Sequence, residues 1–130
     1  MIVIDASLAL DIAMATVDGE AMSHRLRSQR ETLAAPELIE LEVLQALRRQ
    51  LRDSRFGKAR AEEALLVFAA LEIERFSHVP LRARIFALRD NLTAYDAAYF
   101  ALAELLDATL WTRDAKFRDV PGARARVEIL

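Results

Sequence analysis

Short runs of apolar residues alternate with longer amphipathic segments along this chain. The first run, MIVI, is rich in β-branched residues and predicts a buried strand that ends at Asp5. Similar short runs predict further strands at residues 32–35, 72–76, 108–111 and 127–130. The longer segments predict helices at residues 6–15, 18–30, 36–53, 58–70, 79–88 and 93–106, with a short helical turn after Asp114. This alternation predicts an α/β fold in which helices cover both faces of a mostly parallel central sheet.

Local signals refine two of these helices. Asp18 suits the N-cap position of the second helix, and Pro36 suits the first turn of the third. Between Leu38 and Leu47 the third helix is apolar nearly all round. That pattern predicts a buried helix.

The composition is that of an ordinary globular protein. The chain has 130 residues, 54% of them hydrophobic and 29% charged, which predicts one domain spanning residues 1–130. The lack of cysteine excludes disulfides and thiolate metal sites. The N-terminus has no signal-peptide pattern, and no apolar stretch reaches the roughly 18 residues of a membrane span. We therefore expect a cytoplasmic protein that has no membrane partner.

The charge balance needs a closer look before a nucleic-acid partner is excluded. The formal net charge is −2, but only Lys58 and Lys116 of the 18 basic residues are lysines, and arginine suits bidentate contacts with phosphate. If four of the 20 acidic residues hold a metal ion, the basic residues outnumber the rest. The arginines form three clusters: Arg25, Arg27 and Arg30; Arg48, Arg49, Arg52 and Arg55; Arg82, Arg84 and Arg89. The sequence does not rank these clusters, and any of these arginines can instead pair with Glu on a solvated helix face.

Two carboxylates follow predicted strands. Asp5 comes directly after MIVI, and Asp114 follows the strand at residues 108–111. Because ligands bind beyond the carboxyl ends of parallel strands, both residues are candidates for a common site. Each can also serve as the cap of the helical segment that follows it. Asp5 has the stronger case, since a carboxylate at the end of a buried strand needs a partner or a metal ion.

Two further acids lie in predicted helices. Glu42 falls in the apolar third helix, but Glu40 has the same surroundings, and periodicity does not choose between them. A pair with Arg49 is an alternative role for Glu42. Asp96 lies three residues after Thr93, which is the spacing of a capping box, yet a helix N-terminus also favours a bound phosphate.

Four carboxylates at one edge of a sheet would have a chemical use. Packed together they repel one another and need a cation, and Mg²⁺ and Mn²⁺ prefer oxygen ligands. Such an ion can activate water and stabilise the leaving oxygen of a phosphodiester, so hydrolysis of RNA needs neither Cys nor His. His24 and His78 accordingly lie in no motif. Tyr95 and Tyr99 share a helix face, and we expect them to pack in the core, although one could stack on a base.

Four groups of residues carry a family signature in their order and spacing. They are I-D-A-S at 4–7, A-P-E-L at 35–38 with L-E-V-L-Q-A-L-R-R at 41–49, A-Y-D-A-A-Y at 94–99 with A-L-A-E at 101–104, and T-R-D at 112–114. No single group is specific, but the set covers most of the chain. Together they resemble the PIN-domain ribonucleases, in particular the VapC-type toxins of type II toxin–antitoxin systems. The resemblance selects Glu42 over Glu40, because the family's acid lies just before the Val of that segment.

The resemblance implies a three-layer fold around a parallel sheet and endonucleolytic cleavage of RNA at a Mg²⁺ or Mn²⁺ site. It also implies a homodimer, and inhibition by a small antitoxin protein whose C-terminal tail covers the active site. Four residues carry over as catalytic metal ligands: Asp5, Glu42, Asp96 and Asp114. Ser7 and Thr112 match small hydroxyl positions near that site. Gln45 departs from the Asn that the family often has, which can change the hydrogen bonds around the ligands.

Other small α/β proteins fit the sequence less well. A receiver-type phosphoacceptor domain has adjacent acids after its first strand, and a haloacid-dehalogenase-like phosphatase has Asp-x-Asp there, whereas this chain has Asp5-Ala6-Ser7. The alternative that stays open is a non-catalytic PIN-like scaffold that binds RNA or a protein. The presence of all four acids favours the nuclease.

Overall fold

Five short strands form the centre of the structure, a computed structural model that describes residues 1–53 and 56–130. The strands are β1 (Ile2–Ile4), β2 (Leu33–Pro36), β3 (Ile73–Phe76), β4 (Thr109–Thr112) and β5 (Arg126–Ile129). They form one sheet in the order β3-β2-β1-β4-β5, and each neighbouring pair is parallel. The predicted α/β fold with a mostly parallel sheet is therefore confirmed.

Helices cover the two faces of this sheet. They are α1 (Ala6–Ala13), α2 (Val17–Gln29), α3 (Ile39–Arg52), α4 (Lys58–Ala70), α5 (Arg82–Ala87) and α6 (Ala94–Leu105), with 3₁₀ turns at Val79–Leu81 and Ala115–Phe117. In the part of the chain that the structure describes, no helix combines the length and the apolar character needed to cross a bilayer.

The side chains of β1 alternate between two apolar layers. Ile2 and Ile4 pack with side chains of α1 to α4, such as Leu8. Val3 packs into the opposite layer with α6, where Phe100 is buried. Because both faces are covered, β1 is buried along its whole length.

Two predicted helix starts differ from the observed ones. Thr16, not Asp18, caps α2, because its Oγ1 accepts a hydrogen bond of 2.9 Å from the Gly19 N–H. Pro36 ends β2, paired in register with Phe76, instead of opening α3. The chain turns into the helix only after Pro36 because the strand continues the pairing with β3 by one more residue than expected.

The prediction that α3 is buried all round is wrong. Ile39, Val43 and Leu47 are buried, whereas Leu41 is 72% exposed and Leu44 is also exposed. The buried positions recur every four residues, so α3 packs one stripe against the sheet and leaves apolar side chains on its outer face.

The order of the strands determines where a site can form. From β1 the chain builds outward through β2 and β3 on one side, and later through β4 and β5 on the other. The edge between β1 and β4 is therefore the point at which the strand order reverses, and open α/β sheets bind ligands there. Ile4 pairs in register with Trp111, which brings the residues after both strands side by side.

Gly19 permits a close approach between α1 and α2. A Cβ atom at this position would lie 2.1 Å from the backbone oxygen of Asp11, which cannot move without shifting α1. We predict that Gly19→Ser lowers the free energy of unfolding by about 1–3 kcal/mol, the usual cost of overpacking. Urea unfolding measures this loss.

Gly57 provides the matched control for that substitution. A Cβ atom there meets no atom of residues 1–53 and 56–130 within 4 Å, and the residue caps α4, a position that Ser suits. Gly57→Ser should therefore unfold at the wild-type urea concentration or slightly above it. Equal midpoints for the two variants would contradict the close helix contact.

Candidate active site

The four acids predicted from the sequence line one open cleft at the carboxyl edge of β1 and β4. The cleft has a volume of about 650 Å³. Asp5 follows β1 and Asp114 follows β4, while α3 contributes Glu42 and the first turn of α6 contributes Asp96. Residues that are distant along the chain thus meet where the strand order reverses.

Asp5 is buried, and both of its carboxylate oxygens accept hydrogen bonds. Its Oδ1 accepts from the Ser7 hydroxyl at 2.7 Å and from the Leu8 N–H at 3.0 Å. Its Oδ2 accepts from the Thr112 hydroxyl. Asp5 therefore serves as the N-cap of α1, which was one of the two roles considered from the sequence. It also lines the cleft, as the other role requires. Burial raises the pKa of Asp5, even though these three donors oppose the rise.

The two predicted hydroxyl residues connect the ends of β1 and β4. The Thr112 oxygen accepts from the Asp114 N–H at 2.9 Å, and the Ser7 oxygen accepts from the Arg113 N–H at 3.2 Å. Each hydroxyl thus donates to Asp5 and accepts from the backbone after β4. The arrangement fixes Asp5 relative to the loop that carries Asp114.

Glu42 points into the cleft and binds a buried tyrosine. The Tyr99 hydroxyl donates to its Oε2 at 2.6 Å. Burial raises the pKa of Glu42, and the nearby charges of Asp96 and Asp5 raise it further. In the described part of the chain, no ion pair joins Glu42 to Arg49. Glu40 instead pairs with Arg75 of β3, so the structure separates the two glutamates that periodicity could not.

Asp96 and Asp114 share the ammonium group of Lys116. The Nζ atom lies 3.2 Å from Oδ2 of Asp96 and 3.1 Å from Oδ2 of Asp114. Burial by itself lowers the pKa of Lys116, but the hydrogen bonds to these two carboxylates raise it above its ordinary value. Thr93 Oγ1 accepts from the Asp96 N–H at 3.1 Å, which is half of the predicted capping box. The Asp96 carboxylate turns to Lys116 instead.

The donor set fits a hard divalent cation. All four candidate ligands are carboxylates, and oxygen ligands are those that Mg²⁺ prefers. Burial raises the pKa values of Asp5 and Glu42, and the charges of neighbouring carboxylates add to the rise. Two of the carboxylates already approach one cation, the Lys116 ammonium. As the side chains stand, no three acidic or histidine side chains of residues 1–53 and 56–130 converge on a single ion position.

The two tyrosines of α6 have different surroundings. Tyr99 is buried, as predicted, whereas Tyr95 is 67% exposed and lines the cleft, so the expectation that both pack in the core is wrong for Tyr95. The spacing of four residues places both on one side of α6, but it does not tell which positions on that side are buried by neighbouring elements. Sequence reasoning also missed Tyr99 and Lys116 as partners of the acids, since neither contact has a signal in local spacing.

The arginine clusters also differ in their surroundings. Arg49 lines the cleft, and so does Gln45. Arg84 is held by Glu104 at 2.6 Å and by the Gly122 oxygen at 2.7 Å. Arg25 stacks on the ring of Trp111 at 4.3 Å. Arg55 lies outside the described residues. Of the three clusters, the one on α3 therefore approaches the acids.

The two histidines do not line the cleft. His78 accepts a hydrogen bond from the Leu38 N–H at 3.1 Å and so helps to begin α3. This contact joins the turn after β3 to the start of α3.

Comparisons with known proteins agree with the motifs. The family model described as the PIN domain matches residues 2–123. The ribonuclease VapC9 of Mycobacterium tuberculosis is 38% identical over 130 residues, which cover 100% of this chain and 98% of that protein. A solved structure from Pyrobaculum aerophilum superposes with a TM-score of 0.73 at 24% identity, covering 98% of this chain and 82% of that one.

A second solved structure has the same fold. It is that of VapBC2 from Rickettsia felis bound to a DNA fragment from their promoter, with a TM-score of 0.68 at 18% identity over 100% of this chain and 99% of that one. The match to the family model and the full-length similarity to a VapC ribonuclease together show that this chain is a VapC-type member of the PIN-domain family.

Proposed function

We propose that this protein is a Mg²⁺- or Mn²⁺-dependent endoribonuclease that acts as the toxin of a type II toxin–antitoxin pair. The observation that carries the proposal is the meeting of Asp5, Glu42, Asp96 and Asp114 in one cleft at the carboxyl edge of the sheet. The similarity to a relative named as a ribonuclease supports the choice of reaction. We further propose that residues 1–130 act as a single domain.

In this proposal the four carboxylates hold the metal ion. A bound divalent cation supplies Lewis-acid stabilisation of charge on the phosphodiester and makes water acidic enough to attack near neutral pH. The rest of the chain orients the ligands: Ser7 and Thr112 fix Asp5, and Tyr99 fixes Glu42. Both aligned ligands carry raised pKa values, so binding a cation also relieves the cost of their burial.

RNA is the proposed substrate because the cleft combines the acids with groups that suit a single strand. Arg49 lines one wall, where a guanidinium can contact phosphate oxygens. Tyr95 lines the cleft with its ring exposed, and such rings stack on unpaired bases.

The proposed protein partners are an antitoxin and a second copy of the chain. Leu41 and Leu44 on α3 and Leu66 on α4 expose apolar side chains on two helices that pack together. Leu41 also lines the cleft, so a partner that covers it reaches the active site. Burial of this apolar surface would stabilise a complex with the antitoxin, and the homodimer is proposed from the family resemblance.

Cleavage of RNA should require both the divalent cation and Asp5. With Mg²⁺ and single-stranded RNA, the wild type should cut within the strand, and EDTA should stop the reaction. Asp5→Asn should lower the rate at least about 100-fold, because removal of one group that fixes transition-state charge costs this much in other enzymes. Gel analysis of end-labelled RNA measures both effects.

Asp107→Asn is the matched control for that variant. Asp107 is an exposed carboxylate bound to Arg126, so the change removes the same charge away from the cleft, and it should leave the rate unchanged. RNA that stays intact with metal-replete wild type, and binds equally to wild type and Asp5→Asn, would favour the non-catalytic scaffold.

The stability of the metal-free protein should depend on the protonation of Asp5. Because burial raises the pKa of Asp5, the native state holds this proton more tightly than the unfolded state does. This tighter proton binding contributes to the free energy of unfolding. The contribution is complete below the unfolded-state pKa of Asp5 and is lost as the pH rises through its native pKa. Metal-free Asp5→Asn should therefore resist urea better than the wild type at pH 8, and the advantage should shrink as the pH falls toward 4.

Added Mg²⁺ tests the same prediction from the other side. It should stabilise the wild type at pH 8 and have less effect on Asp5→Asn, because the variant lacks one of the ligands. If Asp5→Asn is less stable than the wild type at every pH in EDTA, the buried carboxylate does not strain the metal-free fold.

The exposed ring of Tyr95 in the cleft should contribute to the binding of single-stranded RNA. Tyr95→Ala in the Asp5→Asn background should weaken binding of a fluorescein-labelled single-stranded RNA by about fivefold or more, since stacking on one base contributes about 1–3 kcal/mol. Tyr95→Phe keeps the ring and should bind as before. Fluorescence anisotropy gives the dissociation constants.

Phe86 offers a control of equal exposure. It is 67% exposed, like Tyr95, but lies on α5 and does not line the cleft. Phe86→Ala should leave RNA binding unchanged. A similar loss for Phe86→Ala and Tyr95→Ala would show that general surface contacts, not a base platform in the cleft, hold the RNA.

A further inference from the structure

The Lys116 ammonium lies within ion-pair distance of both the Asp96 and the Asp114 carboxylates. It lies 3.2 Å from one carboxylate and 3.1 Å from the other. Among the described residues, no other cationic side chain lies within ion-pair distance of any of the four acids of the cleft. Arg113, its neighbour in the same loop, turns away to Asp11 and Asp18.

The backbone of Lys116 is held in place as well. Its N–H donates to Oδ1 of Asp114 at 3.0 Å, which caps the 3₁₀ turn Ala115–Phe117. The ammonium also lies over the ring of Phe117 at 5.4 Å, and that ring is buried in the core. The turn therefore presents the amine to the two carboxylates from a fixed point, although the end of the side chain stays 58% exposed.

We propose that the Lys116 ammonium is an internal counter-ion that leaves Asp96 and Asp114 when a divalent cation binds, and that it thereby limits the affinity of the site for metal. The inference rests on the proposed function, which makes these two acids metal ligands. Without metal, the ammonium offsets the mutual repulsion of the carboxylates. With metal, it would face a like charge only a few ångströms away and lose its oxygen partners.

The sequence makes the displacement directly observable. The chain has two lysines, and Lys58, the other one, is exposed and forms a loose pair with Glu62 at 3.6 Å. Acetylation by an N-hydroxysuccinimide ester, read by mass spectrometry, should modify Lys116 more slowly than Lys58 in EDTA. Saturating Mg²⁺ should raise the rate at Lys116 severalfold and leave the rate at Lys58 unchanged.

Affinity for the metal gives a second readout that does not use activity. In calorimetric titrations with Mn²⁺, Lys116→Met should bind roughly tenfold more tightly than the wild type, because the metal then no longer has to break the two ion pairs of the ammonium, and charge pairs in a partly solvated site have energies of this order. Lys116→Arg keeps the charge and should bind like the wild type. Lys58→Met removes an equal charge from a residue that does not line the cleft and should leave the affinity unchanged.

The outcomes separate this inference from the proposed function. Metal binding by the wild type, with unchanged acetylation of Lys116 and equal affinity in Lys116→Met, overturns the counter-ion alone. That result would mean that the amine neither moves when the metal binds nor affects the affinity of the site. Absence of Mg²⁺ and Mn²⁺ binding in both the wild type and Lys116→Met overturns the metal site of the proposed function along with the inference. If Lys116→Met does not fold, acetylation of the wild type still decides.

Discussion

The parallel pairing of β1 with β4 is the contact on which the rest of the structure depends. It joins the first strand to one that begins more than 100 residues later, and the Thr112 hydroxyl bound to Asp5 closes the pair across 107 positions of sequence. Both strands are buried, so their register is fixed by apolar side chains on two faces. A shift of one residue would move Asp5 away from Thr112 and turn Ile4 toward the opposite helical layer.

This pairing also explains why an acidic cluster can exist inside an otherwise apolar fold. Asp5 and Glu42 are held at positions where burial disfavours their charged forms. The apolar layers above and below β1 supply the stability that such positions cost. The Ser7, Thr112 and Tyr99 hydroxyls then direct the carboxylates into the cleft. The elements that define the fold therefore also hold two carboxylates where their charged forms are disfavoured.

Much of this arrangement follows from the sequence alone. The run MIVI and the strand before Asp114 have the pattern of buried strands, and parallel strands bring their carboxyl ends together, so Asp5 and Asp114 were predictable from elementary rules. Glu42 was not, because Glu40 has the same local pattern. The family resemblance was needed to choose, and the structure shows the physical basis in the pair between Glu40 and Arg75, a contact between α3 and β3.

The sequence could not predict which apolar positions of a helix are buried by neighbouring elements and which are left exposed. Tyr95 and Tyr99 have the same helical phase, yet only Tyr99 lies under neighbouring side chains. The apolar residues of α3 likewise divide between the core and an exposed face according to which neighbours reach them. Contacts between residues far apart along the chain decide such cases, and a single sequence does not record them.

The charge of the cleft sets the order in which its ligands can act. Four carboxylates repel a phosphodiester, and Lys116 and Arg49 supply fewer positive charges than the acids supply negative ones. In the proposed function, a divalent cation would change that balance at the point where RNA would approach. Metal binding and RNA binding should therefore be coupled, each favouring the other, since the coupling between two ligands on one protein is reciprocal. Because Lys116 is already bound to two of the acids, a metal at the proposed site would compete with a charge that the chain provides, and this competition would make its occupancy depend on the concentration of free cation.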